Sequence, residues 1–430
     1  FYTTAISRHL SEQLDLDAAL ASGISIYTGL IPEMQSCAEN AVQKGLESLE
    51  KNYAALAKAP QKIEAGLVAI EPFSGKIRAW VGGRDYSVNQ FDHVDLASRQ
   101  IGSTVKSFLY LTALDSGLNN YKVATPVTIL SDTPMEVRLV ANKTWQPENY
   151  DHQYRGDVTL RYALEHSLNI PAAYVGQKVG PENLLRTLRL FRLGDDLQPV
   201  PALALGAADT DLLSLTSAYA ALANGGVYVS PRIYISALDQ EGHNVLNSEI
   251  FEERVADENA VFVLTNILQG VVERGTGNIA RRLGFERAAA AKTGTSNDTR
   301  DAWFIGFTPN LAAGVWVGYD DNGKLGLTGG VAAGPIWTEF MKCSEPFYPA
   351  MDFIAPPGVV FVDLDRRSGD RVTRSCPSDE VVREVFVSGT EPSNRCRFYP
   401  ESGSQEAPPT DLPDEPVHRR RKGFWEILFG

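Results

Sequence analysis

The stretch AAAAKTGTSNDTRDAWFIGF, residues 288–307, predicts two adjacent β-strands and decides the fold class. A third strand-like run, LAAGVWVGYD at 311–320, follows after the short turn TPN. Two further runs, AGLVAIEP at 65–72 and KIRAWVGG at 76–83, flank the turn FSG far upstream. We therefore predict one sheet whose strands come from both ends of the same domain.

Helical patterns occupy the chain between these two groups of strands. From Ser103 to about Asn224 apolar residues recur at helical spacing, and segments such as RYALEHSLNIPAAYVGQKVG at 161–180 end in glycine. Residues 11–64 are also helical in pattern, and AAGPIWTEFMKC at 332–343 predicts a helix after the last strand. The predicted class is α+β, an antiparallel sheet flanked by helices with an inserted all-helical subdomain.

Two segments follow this predicted domain. Residues 350–400 include APPGVVFVDLDRRSGDRV and predict a small β-rich appendage. Residues 401–430 begin acidic and proline-rich, which favours disorder. They end in HRRRKGFWEILFG, a basic cluster joined to an apolar stretch, for which a frayed tail and a contact with a membrane or partner both stay open.

The length, composition and net charge exclude some classes of binding partner but say little about the function. With 430 residues the chain is long enough for two or more units, and its net charge of −13 argues against a nucleic-acid partner. No apolar run reaches the roughly 18 residues of a membrane span, and no signal peptide opens the chain. Because the first residue is Phe1, we expect part of a longer protein whose anchor or export signal lies upstream.

The four cysteines argue against a structural zinc site, because none forms a CxxC pair and the six histidines do not cluster. Cys376 and Cys396 share a short segment rich in glycine, proline and serine, which predicts a local disulfide in an oxidising compartment. Two reduced thiols are the alternative. The sequence leaves open whether Cys37 and Cys343 are paired.

Three short motifs carry the chemistry as an ordered set. They are SxxK from Ser103 to Lys106, SxN from Ser167 to Asn169, and KTGT from Lys292. The first two are uninformative alone, because SLEK at 48–51 and SVN at 87–89 repeat their spacing. The tripeptide KTG occurs once, on a predicted strand. The order of the three motifs therefore carries the evidence.

The first two motifs supply a nucleophile, a base and a proton relay. Ser103 and Lys106 are one helical turn apart, and a serine needs a neighbouring base to attack at neutral pH. Burial and nearby cations can remove the proton of Lys106, while the helix dipole favours Ser103 at the helix start. Ser167 can pass a proton to a leaving amine, and Asn169 can hold the peptide bond of the substrate. His166 is assigned to local packing.

The third motif predicts a wall that receives a carboxylate. Lys292 supplies positive charge, and the hydroxyls of Thr293 and Thr295 can donate to the carboxylate. Gly294 leaves the strand bare, so that a substrate backbone can pair along its edge. The backbone N–H groups of Thr295 and Ser103 form the predicted oxyanion hole.

The motif trio resembles the transpeptidase domain of class A penicillin-binding proteins, and the resemblance covers about residues 20–400. Four longer stretches add to it: VAIEPFSGKIRAWVGGRD at 68–85, WQPENYDHQYRGDVTLRYALEHSLNIPAA at 145–173, RGTG at 274–277, and VSGTEPSNRC at 387–396. The segment FDHVDLASRQ at 91–100 departs from the family because it lacks the asparagine-arginine pair after its phenylalanine. The upstream glycosyltransferase domain and membrane anchor of this family do not occur in the sequence.

The resemblance implies the fold of penicillin-binding proteins and serine β-lactamases, and a D,D-transpeptidase that needs no metal or organic cofactor. Its substrates would be peptidoglycan stem peptides ending in D-Ala-D-Ala, and β-lactams would inhibit it covalently at Ser103. It would act on the periplasmic side of the bacterial cytoplasmic membrane through an upstream anchor, with regulatory cell-wall proteins as further partners. Trp145 and Tyr150 would flank the cleft, and Arg274 would support the KTG strand.

The resemblance also implies a division into four parts. Residues 1–64 would be a linker region after the missing domain, and 65–349 the transpeptidase domain. Residues 350–400 would be the appendage and 401–430 the tail. Since the appendage carries none of the motifs, we expect catalysis to survive loss of its disulfide.

Two other classes of function stay open. One is a D,D-carboxypeptidase or β-lactamase of the same fold. A class A β-lactamase carries an ExxLN motif after SxN, which does not follow Asn169, and Glu182 and Glu273 have the character of surface charges. The other is a β-lactam sensor or scaffold, although no signalling segment is visible in the sequence.

Overall fold

The computed structural model describes residues 1–119, 124–138, 144–194, 196–365, 369–373 and 381–396. The helices of these residues are α1 Tyr2–Ser11, α2 Leu16–Ala21, α3 Pro32–Asn52, α4 Ala54–Ala57, α5 Lys106–Leu114, α6 Leu160–Glu165, α7 Asn169–Val179, α8 Pro181–Leu190, α9 Leu212–Ala223, α10 Glu258–Glu273, α11 Ile279–Arg282, α12 Gly329–Ala332 and α13 Gly334–Ser344. Short 3-10 helices span Gly102–Val105, Pro201–Leu205, Asn297–Thr299 and Glu345–Phe347.

The strands of the described residues are β1 Ser25–Tyr27, β2 Glu64–Ile70, β3 Ile77–Val81, β4 Arg99–Gln100, β5 Ile129–Asp132, β6 Val137–Arg138, β7 Thr144–Trp145, β8 Gly156–Thr159, β9 Asp209–Thr210, β10 Val227–Val229, β11 Ser236–Leu238, β12 Asn244–Asn247, β13 Glu252–Arg254, β14 Ala290–Thr295, β15 Ala302–Phe307, β16 Ala312–Gly318, β17 Val359–Asp365 and β18 Val381–Val387.

The central sheet is antiparallel throughout and has the order β14-β15-β16-β2-β3. Every residue of β2, β15 and β16 is buried, because helices cover both faces of the sheet. The prediction that strands from both ends of the domain form one sheet is confirmed. The KTGT motif lies on β14, an edge strand, so one side of it faces no other strand of this sheet.

Helices α3 and α13 cover one face of the sheet. Met34 and Leu46 of α3 share a core with Phe304 of β15 and Trp337 of α13. A disulfide between Cys37 and Cys343, with their Cα atoms 5.8 Å apart, joins the two helices. Residues 32–63, which we assigned to a linker region, thus contribute to the core of the domain.

The inserted helical block covers the other face. Phe108 of α5 and Tyr219 of α9 lie in one core with Trp303, Ile305 and Trp316 of the sheet. The block also contains short strand pairs that the helical pattern did not predict: β4 with β9, β5 with β8, and β6 with β7. Likewise β1 interrupts the predicted helical region 11–64 and pairs with β11. Strands of two to four residues are too short to produce a periodic signal.

The appendage is built on one antiparallel pair, β17 with β18, whose register runs from Val359 opposite Val387 to Asp365 opposite Val381. It packs against α10, where the rings of Phe262 and Phe361 meet edge to face. Cys376 and the tail from 401 to 430 lie outside the described residues, so the predicted Cys376–Cys396 disulfide stays a prediction. Among the helices that the structure describes, none combines the length and apolar character needed to cross a membrane.

Candidate active site

Ser103 lies in the 3-10 helix Gly102–Val105, and α5 begins at Lys106. We expected Ser103 at the start of the α-helix itself; Gly102 changes the geometry because its φ is +52°. A Cβ on Gly102 would lie 2.3 Å from the carbonyl oxygen of Thr295. Only glycine combines this left-handed backbone with so close an approach, which seats the nucleophile beside the KTGT strand.

Residues 201–210 pack against the turn that contains Ser103 and hold it by backbone contacts. The N–H of Ile101 donates to the carbonyl of Ala208 at 2.9 Å, and β4 pairs with β9. A Cβ on Gly206 would lie 1.9 Å from the carbonyl oxygen of Gly102. The backbones of Gly102 and Gly206 are therefore in direct contact, which holds the neighbouring Ser103 in place. The Ser103 hydroxyl, half-buried, has no hydrogen-bond partner within the part of the chain that the structure describes.

Lys106 is a fully buried base candidate whose side chain has 0% exposure. Its Nζ lies 2.7 Å from the carbonyl oxygen of Ser167, 2.7 Å from Asn169 Oδ1 and 3.4 Å from Ser167 Oγ. Burial, and next the charge of Lys292, hold the pKa of Lys106 well below its usual value. A neutral amine donates two protons to the two close oxygens and keeps its lone pair to accept one.

The SxN turn brings both of its polar side chains to Lys106. Ser167 has a φ of +55°, a left-handed backbone that is uncommon for serine, and Asn169 begins α7. The Nδ2 of Asn169 donates to the carbonyl of Glu148 at 2.7 Å. His166 stacks on Tyr162 with ring centroids 4.0 Å apart, in keeping with the packing role that the sequence suggested.

Asn149 is a supporting residue that the sequence reading missed. Its Oδ1 accepts from the backbone N–H of Asn169 at 2.8 Å, and its Nδ2 donates to Asp132 Oδ1 at 2.6 Å. It is buried, and it ties the WQPENYD loop to the start of α7. The motif stretch containing Asn149 was visible in the sequence, but nothing in it separated this asparagine from its neighbours Trp145 and Tyr150.

Lys292 is buried like Lys106 and shares Ser167 with it. The Nζ of Lys292 donates to Ser167 Oγ at 2.8 Å and to the carbonyl of Thr293 at 2.9 Å. Burial lowers the pKa of Lys292 to about 7. Ser167 therefore lies between two amines of low basicity, an arrangement that can carry a proton from one amine to the other.

The two faces of β14 separate its polar residues. Lys292 and Gly294 face the Ser103 turn, and a Cβ on Gly294 would lie 2.7 Å from both the Ile101 carbonyl oxygen and Thr104 Cγ2. Gly294 thus lets β14 pack directly against the nucleophile segment. This close packing is a second reason for a glycine at position 294, besides the bare strand edge that we predicted.

Thr293 and Thr295 lie on the opposite face of β14, as strand alternation requires. The hydroxyl of Thr293 is buried and hydrogen-bonds to Thr276 of the RGTG segment at 2.8 Å. Thr295 is half-buried, and its Oγ1 accepts from the N–H of Gly329 at 3.2 Å. The structure gives the Thr293 hydroxyl a bond to Thr276, and the role that we predicted for Thr293 in carboxylate binding stays a prediction.

Trp145, Tyr150 and Arg274 are the three supporting residues that the sequence suggested, and the first two keep their cleft role as a prediction. Tyr150 is 71% exposed, and Trp145 is half-buried on β7. Arg274 donates to Glu165 from Nε at 2.9 Å and from Nη2 at 2.6 Å, which makes it scaffold. Glu182 and Glu273 are both exposed. Within the described residues, no carboxylate is hydrogen-bonded to the motif serines or lysines.

Two family models match the chain. Residues 65–342 match the penicillin binding protein transpeptidase domain, and residues 355–401 match the C-terminal domain of penicillin-binding protein 1A. Among curated relatives, penicillin-binding protein 1A of Aquifex aeolicus is 38% identical over 337 residues, which is 78% of this chain and 45% of the relative. Penicillin-binding protein 2D of Bacillus subtilis is 33% identical over 100% of this chain and 60% of its own length. The chain thus spans about half the length of these relatives.

Solved structures share the fold. Penicillin-binding protein 1A from Haemophilus influenzae superposes with a TM-score of 0.77 at 23% identity, over 88% of this chain and 74% of that one. The PonA1 protein from Mycobacterium tuberculosis, in complex with penicillin V, gives a TM-score of 0.69 at 23% identity, over 83% of this chain and 94% of that one.

Proposed function

Because the chain belongs to the family of penicillin-binding protein transpeptidase domains, we propose that it is a serine D,D-transpeptidase that cross-links peptidoglycan stem peptides. One observation carries the proposal. Two buried lysines, Lys106 and Lys292, meet at the hydroxyl of Ser167, beside a Ser103 turn that packs directly on the KTGT strand. The Ser103–Lys106 pair, the relay Ser167 and the amine of Lys292 are thereby gathered from three distant parts of the chain.

In the first half of the proposed reaction, Ser103 Oγ attacks the carbonyl carbon of the penultimate D-alanine, and its proton passes to the neutral amine of Lys106. The oxyanion accepts hydrogen bonds from the N–H groups of Ser103 and Thr295. The carbon–nitrogen bond then breaks, and the leaving D-alanine takes a proton from Lys106 through Ser167. Asn169 holds the donor peptide, and the charge of Lys292 favours its terminal carboxylate.

In the second half, an amine of another stem peptide attacks the Ser103 ester. The amine gives up its proton through Ser167 to Lys106, and Ser103 leaves with its hydroxyl restored. A carboxylate aimed at a water molecule would favour hydrolysis instead. None of the described carboxylates bonds to the motif residues, which supports transfer to an amine over transfer to water.

The proposal extends to inhibitors and location. Penicillins would acylate Ser103, because their strained amide presents a carbonyl and a carboxylate to the same groups. We also propose that the whole protein carries an upstream glycosyltransferase domain and a single-pass anchor, with this domain on the periplasmic side. The greater length of the curated relatives supports an additional domain, and the Cys37–Cys343 disulfide suits an oxidising compartment.

The test uses a stem pentapeptide ending in D-Ala-D-Ala as donor and rising concentrations of an amine acceptor. Mass spectrometry then follows free D-alanine, the amide product and the hydrolysed tetrapeptide. We expect the amide product to increase with the amine and to vanish in Ser103→Ala. Release of D-alanine with hydrolysed tetrapeptide alone, at every amine concentration, would make the protein a carboxypeptidase.

A further inference from the structure

A chain of four charges, of which Arg274 is exposed and the other three are buried, connects the appendage to the SxN turn. Arg161 Nε donates to Glu384 Oε2 at 2.7 Å, and Arg161 Nη1 donates to Glu165 Oε1 at 3.2 Å. On its other side Glu165 accepts two bonds from Arg274. Exposure is 8% for Arg161, 1% for Glu165 and 2% for Glu384. Glu384 comes from β18, so the appendage contributes one end of this chain to the transpeptidase domain.

The other end of this chain of charges lies against the catalytic residues. Glu165 is the last residue of α6, two positions before Ser167. Its carbonyl accepts from the N–H of Thr276 at 3.2 Å, and Thr276 bonds to Thr293 of the KTGT strand. A displacement of Glu165 therefore reaches both the SxN turn and β14.

The packing around Glu165 leaves little room for adjustment. A Cβ on Gly270 would lie 2.0 Å from Glu165 Oε1, and a Cβ on Gly275 would lie 2.2 Å from its carbonyl oxygen. The backbones of Gly270 and Gly275 thus pack against one side of Glu165. The two arginines, Arg161 and Arg274, hold its carboxylate from the remaining directions.

When the exposed Arg274 is counted, the two cations and two anions of this cluster balance only when Glu384 is present. Arg161 and Arg274 are two cations, and Glu165 and Glu384 are two anions. Without the Glu384 carboxylate, Arg161 is a buried cation that shares Glu165 with Arg274, and a buried charge that loses a partner rearranges its neighbours. Arg161 retains Asn266, whose Oδ1 accepts from its Nη2 at 2.6 Å, but an amide brings no compensating charge.

We propose that Glu384 is a positioning residue for acyl transfer, which acts through Arg161 and Glu165 to hold Ser167 between Lys106 and Lys292. The inference rests on the proposed function of Ser103 and its partners. It assigns a part in catalysis to an appendage that carries none of the motifs.

The experiment compares the full chain with Glu384→Gln, which keeps the shape of the side chain and removes its charge. The rate constant of Ser103 acylation at saturating penicillin is measured, together with the final number of adducts per chain. We expect the rate to fall about ten- to a hundredfold, since displacements near 1 Å in a catalytic group can cost about 100-fold. The final stoichiometry stays at one adduct per chain, which shows that the folded protein is being measured.

Arg383→Gln is the matched control, because Arg383 is the exposed neighbour of Glu384 on the same strand and lies over the ring of Phe361. Its acylation rate should equal that of the unaltered chain. An unchanged rate in folded Glu384→Gln overturns the inference, even if its melting temperature falls. If Glu384→Gln does not fold, Glu384→Asp decides: a rate at least threefold lower supports the inference, and an unchanged rate overturns it.

Failure of the proposed function gives a different result. If the unaltered chain takes no penicillin at Ser103, the assignment of the nucleophile is wrong, and the inference about Glu384 falls with it. If the unaltered chain is acylated and Glu384→Gln is acylated at the same rate, only the inference about Glu384 is wrong.

Discussion

Replacing Lys106 by arginine tests the base directly, because arginine keeps the positive charge and removes the ability to accept a proton. The buried amine of Lys106 has a pKa well below its usual value. A guanidinium stays protonated in proteins at every pH of the assay, so it cannot accept the proton of Ser103. General-base catalysis contributes about 10²–10⁴-fold, so we expect Lys106→Arg to acylate about 10²–10⁴-fold more slowly.

The assay follows acylation by a fluorescent penicillin between pH 5 and pH 9. In the unaltered chain the rate should fall as the pH drops through the pKa of Lys106, since only the neutral amine accepts a proton. Lys106→Arg should lose this dependence. Lys178→Arg, an exposed lysine of α7, serves as control and should change nothing. Acylation of Lys106→Arg within tenfold of the unaltered chain would refute the reasoning and move the base to Lys292.

Three further predictions concern the ester, the strand and the cysteines. The penicilloyl ester on Ser103 should persist for many minutes when its mass is followed over time; several turnovers of penicillin per minute would indicate a β-lactamase. Gly294→Ala should slow acylation at least about tenfold, because its Cβ would displace the nucleophile segment; an unchanged rate would show that the contact is not needed. Non-reducing peptide mapping should recover Cys376 linked to Cys396, a loop of about 20 residues contributing roughly 3 kcal/mol to the free energy of unfolding; free thiols at both positions in exported protein would contradict this.

The sheet and the motif residues were predictable because both are encoded in short stretches. Apolar runs of strand length predicted β14, β15 and β16. The KTG tripeptide, which occurs once, identified β14 as the strand of the site. The opposite orientation of Thr293 and Lys292 also follows from the two-residue period of a strand. We assigned the charge of Lys292 and the hydroxyls of Thr293 and Thr295 to one carboxylate-binding site, and that assignment stays a prediction.

Contacts between residues that are far apart along the chain could not be predicted from the sequence. Cys37 and Cys343 are 306 residues apart, and no local pattern marks them as partners. The bond from Asn149 to Asn169 and the pairing of Glu384 with Arg161 are likewise set by packing. Local backbone geometry was hidden too: the left-handed Gly102 places Ser103 in a 3-10 helix, while the spacing of Ser103 and Lys106 indicated only a helix.

The central claim is that Ser103 is the nucleophile, and the mass of the intact chain after incubation with penicillin tests it most directly. We predict a mass increase of one penicillin per chain, located on Ser103 by peptide mapping and absent from folded Ser103→Ala. The substitution should not unfold the chain, because a half-buried hydroxyl without a described partner contributes little to stability. A label on another serine, such as Ser48 of the repeated SLEK spacing, or an adduct that persists in Ser103→Ala, would contradict the account.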